Sequence, residues 1–246
     1  SNEAAHSVRV SPDGQFWYVV FLNSNFMQKF RCSDDSYVGD IPLTPYAAGI
    51  GGISENAVDW NSMAISPDGK RAYVTSWTAN GRISVVDLAN RKFVRWIGGQ
   101  HYPHGITINS AGDKIYVTAQ TGNFITELDT GFTFSNEISL DGDINYGSSL
   151  DIHEILLSPD EKKALVTCQK TNEVRVIDLA TRQIQFVSIT SYPLARRRIA
   201  ISRSTRSPRG RVTMIDRRRD GEPDDEEGRP GPEDPPPAPA CAPGAA

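Results

Sequence analysis

The feature that most constrains this chain is a strand-turn-strand unit that recurs along it. The unit is best preserved in residues 63–87, which read MAISPDGKRAYVTSWTANGRISVVD. A short apolar strand leads into Ser66-Pro67-Asp68-Gly69, where the proline presets φ, the aspartate can bond nearby amides and the glycine accepts a positive φ. Two further β-rich runs follow, separated by Ala79-Asn80-Gly81. The unit therefore predicts three strands joined by tight turns.

Four copies of this unit align on one turn position. The aligned residues are Ser11, Ser66, Asn109 and Ser158, at intervals of 55, 43 and 49 residues. Periods of about 40 to 50 residues indicate propeller blades or another repeat array. A fourth β-rich run follows each copy, in residues 37–43, 92–97, 136–140 and 183–189. We therefore predict an all-β chain, a β-propeller of four-stranded blades.

Several phrases of the repeats resemble the YVTN family of β-propeller repeats. They are SPDGKRAYVTSW and NSAGDKIYVTAQ, with the following VVDLANRK and VIDLATRQ, and the resemblance covers about residues 5–190. It implies a fold like that of seven-bladed propellers, many of them extracytoplasmic, which work as binding or scaffold proteins. The extracytoplasmic location is implied by the resemblance alone. Four copies fall short of seven blades, so we expect an incomplete propeller whose exposed blade edges favour self-association.

The composition changes after the repeats, which occupy residues 1–190. Ile199-Ala200-Ile201-Ser202 repeats the strand-to-turn phrase, so residues 191–219, which are rich in arginine, are predicted to be a degenerate fifth repeat. Residues 220–246 are acidic and then rich in proline, which predicts a disordered tail. The alternative is a basic arm for nucleic acid. A nucleic-acid partner is not expected, because the arm lacks interleaved aromatics and the acidic run neutralises much of its charge.

Composition favours a soluble globular protein. The chain is 38% hydrophobic with a formal charge of -4, and no apolar run approaches the roughly 20 residues needed to span a bilayer. Cys32, Cys168 and Cys241 are widely spaced without a C-x-x-C pair, so neither a zinc ribbon nor a disulfide framework is indicated. Residue 1 is Ser and the first repeat follows at once, so we expect a processed or truncated chain.

Three of the four histidines share one repeat position. His6, His104 and His153 each lie five residues before the aligned turn residue, where the second repeat has Asn61. Equivalent positions at the start of the innermost strands surround the central axis of a propeller, so these imidazoles can form a metal site. Two alternatives stay open, a polar channel mouth that binds a ligand and simple packing. The packing alternative rests on the alternation of side chains along a strand, which places each histidine on the same face as the apolar residues that follow it.

The connections between repeats are predicted to lie on the same face as these histidines. The long ones comprise residues 45–60 and 141–151, and loops carry binding residues more often than strands do. Ordinary loop residues are the alternative at every position. The predicted ligand-binding residues are Trp60, Trp77, His101, Tyr102, Asp143, Asn145 and Tyr146, with Tyr46 as a further candidate. Trp77 belongs to this set if the connection that carries it shares the face.

Catalytic motifs are missing from the sequence, which contains no G-x-S-x-G elbow, H-E-x-x-H pair or phosphate loop. We therefore predict a non-enzymatic binding or scaffold propeller that engages a protein or small ligand through its loop-rich face. No catalytic residue and no cofactor are assigned. The alternative is a propeller enzyme that uses the histidines, either an oxidoreductase with a transition metal or a lactonase-like hydrolase.

Overall fold

The computed structural model describes residues 4–22, 24–45, 60–133, 135–147 and 150–189, with only the backbone of Trp60 and Asn61. All of the described residues belong to one compact unit. The predicted fifth repeat (191–219), the predicted tail (220–246) and Tyr46 lie outside the described residues. Within the described part no helix is long and apolar enough to cross a membrane.

The described chain forms four antiparallel sheets, each of four consecutive strands in sequence order, and we call these sheets blades 1 to 4. Blade 1 contains β1 (Ala5–Val10), β2 (Phe16–Phe21), β3 (Phe26–Arg31) and β4 (Tyr37–Pro42). Blade 2 contains β5 (Trp60–Ile65), β6 (Arg71–Ser76), β7 (Gly81–Asp87) and β8 (Lys92–Gln100). Blade 3 contains β9 (Pro103–Ile108), β10 (Lys114–Ala119), β11 (Phe124–Asp129) and β12 (Ser135–Ser139). Blade 4 contains β13 (Ile152–Leu157), β14 (Lys163–Cys168), β15 (Glu173–Asp178) and β16 (Ile184–Ser188).

The turn after the first strand forms in all four blades as the repeat predicts. In blade 2, Ser66 Oγ donates to Asp68 Oδ1 at 2.6 Å and accepts a bond from the Arg71 amide at 2.9 Å. Blades 1 and 4 repeat the first bond, from Ser11 to Asp13 and from Ser158 to Asp160. In blade 3, Asn109 Oδ1 accepts bonds from the amides of Asp113 and Lys114. Local hydrogen bonding by short polar side chains therefore fixes these turns.

Among the described residues the core forms three clusters, one between each pair of neighbouring blades. Met27 and Ile41 of blade 1 pack with Met63 and Val74 of blade 2. The cluster between blades 2 and 3 includes Tyr73, Ile83, Ile106 and Val117, and that between blades 3 and 4 includes Ile125, Leu140, Ile155 and Val166. The first strand of each blade lies beside the first strand of the next. The starts of these strands therefore come together at the centre of the fold.

A β-bulge interrupts each first strand near its start. In blade 3 the pairs Pro103–Ala119 and Ile106–Val117 place one extra residue on β9, and in blade 4 the pairs Ile152–Cys168 and Ile155–Val166 do the same on β13. Blades 1 and 2 have the same irregularity after Ala5 and Trp60. A bulge redirects the side chains that it carries. The alternation of faces that the apolar residues show along each first strand is therefore interrupted at the bulge. It does not predict the face on which the histidine lies.

Candidate functional site

The three histidines of the shared repeat position meet at the centre. His6, His104 and His153 are each the second residue of a first strand, β1, β9 and β13 respectively. The ring centres of His104 and His153 lie 3.6 Å apart, and those of His6 and His104 lie 5.6 Å apart. We call these three residues the imidazole cluster. The bulges and the packing of the first strands together explain how residues far apart in sequence become neighbours.

The threonine of the Tyr-Val-Thr phrase holds the backbone of this cluster. Thr118 Oγ1 accepts a bond from the Gly105 amide at 2.8 Å, next to the bulge in its own blade, and donates to the His153 carbonyl of the next blade at 2.8 Å. Thr75 Oγ1 likewise donates to the His104 carbonyl at 2.6 Å. Sequence reasoning did not assign this role, although the recurrence of the threonine was a visible signal.

The close approach of blades 3 and 4 also requires a glycine. A Cβ on Gly105 would lie 2.4 Å from the His153 carbonyl oxygen, well inside contact distance. The equivalent residue of blade 4 is Glu154, whose carboxylate faces the cluster. Its Oε1 lies 3.8 Å from His104 Nδ1 and 3.8 Å from His153 Nδ1. Glu154 is thus a site residue that the shared histidine position did not indicate. The available signal was an acidic residue at a repeat position that is otherwise occupied by Ser7, Ser62 and Gly105.

His104 and His153 are neutral at neutral pH, because their surroundings lower the pKa of each imidazole. Burial lowers the pKa of His104 to about 3, and the neighbouring His153 and His6 act in the same direction. Burial also lowers the pKa of His153, although the carboxylates of Glu154 and Asp151 act in the opposite direction. His104 is only 4% exposed, and its Nδ1 has no hydrogen-bond partner in the described part of the chain. A neutral imidazole offers one nitrogen lone pair, so this atom is suited to accept a proton donor or bind a cation.

Aromatic side chains from the loops of blades 2 and 3 form a second arrangement, which we call the aromatic row. Trp77 lies 5.0 Å from Tyr102, Tyr102 lies 5.1 Å from His101, and His101 lies 5.0 Å from Tyr146, measured between ring centres. Phe124 packs against Tyr146 at 5.1 Å. The structure therefore brings four of the predicted binding residues together. The connection that carries Trp77 shares their face.

His101 fixes the position of Tyr146. Its Nε2 lies 3.0 Å from the Tyr146 carbonyl oxygen and 2.8 Å from Thr121 Oγ1. In the tautomer with the proton on Nε2, the imidazole donates a hydrogen bond to the Tyr146 carbonyl, which can only accept. The Tyr146 hydroxyl donates to Glu137 at 3.1 Å, and this bond raises the pKa of Tyr146. Both ends of the tyrosine are therefore held.

Asn123 holds the loop that contains Asp143 and Asn145. Asn123 is 2% exposed. Its Oδ1 accepts a bond from the Asn145 amide at 2.7 Å. Its Nδ2 donates to the Asp143 carbonyl at 2.8 Å and to the Asp141 carboxylate. The Asn145 side chain accepts a bond from the Gly147 amide at 2.8 Å. Asp143 thus shapes the loop through its carbonyl, whereas Asn145 does so through both its amide and its side chain. No sequence signal separated Asn123 from other loop asparagines.

The described part of the chain places Trp60 and Tyr46 in neither arrangement. The backbone of Trp60 pairs with Ser76 at the start of β5, and its side chain lies outside the described residues. Tyr46 lies outside them entirely. Their assignment to a binding face stays a prediction.

Two concave surfaces lie at the opposite end of the blades, near the Ser-Pro-Asp-Gly turns. One lies between blades 1 and 2 with a volume of about 450 Å³, and the other between blades 3 and 4 with about 430 Å³. Each contains a buried charged residue, Lys29 and Glu127 respectively. Lys29 Nζ donates to the Leu88 carbonyl at 3.3 Å, and Glu127 accepts a bond from Arg182 at 2.6 Å. Both charges are therefore engaged in bonds between blades.

Comparison with known proteins supports the architecture. No family model matches the chain, and no curated protein matches it. Solved structures do: hydrazine synthase from Kuenenia stuttgartiensis matches with a TM-score of 0.60 and 21% identity over 76% of this chain and 50% of its own. U3-55K matches with a TM-score of 0.57 and 15% identity, and the WD40 repeats of RRP9 with 0.57 and 16%, each over 76% of this chain. The fold is a β-propeller.

The prediction of an all-β propeller is thereby confirmed, whereas assignment to the YVTN family is not. This propeller chain spans about half the length of the solved structures that it matches, 50 to 53%. At such low identities the similarity shows the fold alone. These propellers include an enzyme and WD40 repeats, so the choice between functions depends on the surface of this chain.

Proposed function

We propose that the chain is a non-enzymatic binding or scaffold module that engages a protein partner through the aromatic row and the acidic residues beside it. The observation that carries the proposal is the linked set Trp77, Tyr102, His101 and Tyr146. Large aromatic side chains with a polar group dominate the energetics of many protein interfaces. WD40 repeats among the proteins of similar fold are in keeping with this role.

Preorganisation supports the assignment of the binding surface to this row. Tyr146 is 53% exposed, yet its carbonyl, its ring and its hydroxyl all contact neighbouring residues. The loop that carries it is held by buried Asn123. A surface that is ordered before binding loses less conformational entropy when a partner docks. An exposed aromatic group fixed in this way is suited to act as an anchor.

Charge indicates the chemistry of the partner. Glu137, Asp141 and Asp143 are exposed beside Tyr146 and supply negative charge at this edge of the row. Complementary charge increases the rate and specificity of association. We therefore propose a partner segment that contains lysine or arginine together with an apolar or aromatic residue for the row.

A displayed peptide library of random sequence tests this proposal. We expect the chain to enrich peptides with lysine or arginine, and we expect added salt to weaken their binding because the charges are exposed. Tyr146→Ala should reduce the affinity of an enriched peptide at least about tenfold, the size expected for loss of an interface anchor. Fluorescence anisotropy with a labelled peptide measures the dissociation constant.

Tyr37 provides a matched control on blade 1, because it is 54% exposed and also belongs to an aromatic contact. Tyr37→Ala should leave the peptide affinity unchanged. Equal losses in the two variants, or enriched peptides without cationic residues, would contradict the proposed surface.

We also propose an extracytoplasmic location, which is supported only by the resemblance of the repeats to the YVTN family. Cell fractionation with an antibody against the chain tests it. Recovery of the chain solely in the cytoplasmic fraction would refute this location.

A further inference from the structure

The imidazole cluster has the donors of a metal centre, and it is separate from the aromatic row. His104, His153 and Glu154 each offer one ligand atom, and these atoms lie within 4.8 Å of one another. The first ligand is almost fully buried, with an Nδ1 that has no hydrogen-bond partner among the described residues. An unsatisfied buried nitrogen is costly, so a bound cation would remove a penalty that the protein otherwise carries.

We propose that His104, His153 and Glu154 bind one divalent first-row transition metal ion, and that zinc fits this donor set best. Two imidazole nitrogens and one carboxylate oxygen form a common three-ligand zinc set, in which the fourth position is open to water. His6 lies beside that set at 5.6 Å from His104 between ring centres. The predicted metal residues therefore change in two respects, because Glu154 joins the ligands and His6 becomes a neighbour.

Zinc binding requires each nitrogen–oxygen distance to shorten and the two rings to separate. Ligand atoms around a tetrahedral zinc ion are roughly 3.3 Å apart, given bonds of about 2.0 to 2.1 Å. Each imidazole Nδ1 lies 3.8 Å from Glu154 Oε1, so the ion draws each pair together by about half an ångström. The two rings must separate from their present 3.6 Å to roughly 5 Å between centres. The His153 side chain is 25% exposed, which leaves it room to turn.

The backbone around the site is already held in place. Thr75 and Thr118 bond to the carbonyls of His104 and His153, and the Glu154 amide donates to Thr167 at 2.9 Å. Because the backbone of all three ligands is fixed, binding has to order only their side chains. Supports of this kind increase metal affinity by reducing reorganisation.

Isothermal titration of the full chain with zinc chloride tests the proposal. A Cys32→Ser, Cys241→Ser background removes two competing ligands, the exposed thiol of the described residues and the cysteine that lies outside them. We expect one saturable site per chain. Glu154→Gln and His153→Ala should each weaken binding at least about tenfold. Glu161→Gln, an isosteric change at the opposite end of the same blade, should bind zinc as the parent does.

A stability measurement guards against unfolding as the cause of lost binding. The Glu154 side chain is 45% exposed, so Glu154→Gln should fold like the parent chain. Zinc should raise the melting temperature of the parent and of Glu161→Gln, but not that of Glu154→Gln, because only a ligand bound to the folded state stabilises it. His101 is retained in every variant. Any zinc bound at His101 therefore appears as weak binding that remains in Glu154→Gln and His153→Ala.

Two outcomes would overturn the inference. One is the absence of saturable binding to the folded parent chain. The other is equal zinc affinity in the parent, Glu154→Gln and His153→Ala. Neither outcome bears on the peptide experiment, because the aromatic row uses different residues.

Discussion

The threonine of the Tyr-Val-Thr phrase links one blade to the next through a single hydroxyl group. Thr118 is fully buried and satisfies the amide of Gly105 and the carbonyl of His153 at once. Blade 1 has Val20 at the equivalent position, so this connection is absent between β2 and β5. One side chain therefore supports both the local bulge and the arrangement of the imidazole cluster.

Replacement of Thr118 by valine should destabilise the fold. Thr118→Val keeps the shape but leaves a buried amide and a buried carbonyl without this partner, which costs about 2 kcal/mol. Urea denaturation measures the change in the free energy of unfolding. Thr167 occupies the same repeat position but is exposed and accepts its bond from the Glu154 amide. Thr167→Val should cost less than half as much, and equal losses would contradict the role assigned to Thr118.

Blades 3 and 4 are also tied by a buried carboxylate. Glu127 on β11 accepts bonds from Lys114 Nζ of its own blade at 2.8 Å and from Arg182, between β15 and β16, at 2.6 Å. Burial by itself raises the pKa of Glu127, but the hydrogen bonds and charges of Lys114 and Arg182 outweigh burial and hold the pKa below its ordinary value. Because the folded-state pKa is lowered, the ionised form stabilises the fold, and this contribution is lost as the pH falls through the folded-state pKa.

Glu127→Gln should therefore show a pH-dependent loss of stability. At pH 7 we expect a decrease of about 2 kcal/mol in the free energy of unfolding, since two charge-assisted bonds are weakened. The difference from the parent should decrease as the pH falls below 4.5, the ordinary pKa of glutamate, because the parent then also loses the charge. Urea titrations at several pH values measure it.

Glu137→Gln is the control for that experiment, because Glu137 is exposed on the neighbouring strand β12. Its effect on stability should stay within about 0.5 kcal/mol at every pH. A loss for Glu127→Gln that does not change with pH would rule out the charge as the source of stabilisation.

Burial along the strands shows which blades are enclosed. On β6 and β10, in blades 2 and 3, every residue after the first is buried, as expected for strands covered on both faces. On β14 in blade 4, buried and exposed residues alternate, and Leu165 is 37% exposed beside Leu156, which is 66% exposed. Val8 and Val10 of blade 1 are more than half exposed. The first and last described blades each present an apolar face to solvent.

These faces should promote self-association. We expect the sedimentation coefficient of the chain to increase with concentration, because apolar surface on an open blade is buried by pairing. Leu156→Lys should reduce this dependence by placing a charge on the face of blade 4. Sedimentation velocity over a range of concentrations measures the effect.

Val94 on β8 serves as a control, because it is 44% exposed and lies on the outer strand of an enclosed blade. Val94→Lys should associate like the parent chain. A parent that stays monomeric, or equal effects of the two lysine variants, would refute association through the blade 4 face.

The strands, the turns and the repeat were predictable from the sequence because they depend on local patterns. Alternating apolar residues and Ser-Pro-Asp-Gly turns specify strand and turn within about 20 residues, and the Ser66 and Asp68 bonds form as that pattern indicates. The end of β8 was less predictable. It extends to Gln100, beyond the predicted residue 97, because Gly81 pairs with Gln100 across the strands.

The shared position of His6, His104 and His153 also followed from the repeat, as did the clustering of aromatic loop residues on one face. The distances between them were decided only by the tertiary structure. The bulges, which break strand parity, depend on how β9 and β13 pair with their neighbours, and no local pattern records that pairing. Glu154 faces two histidines because Gly105 lets blades 3 and 4 approach closely. Contacts across blade interfaces follow from packing between distant segments, whereas the sequence pattern specifies each blade separately.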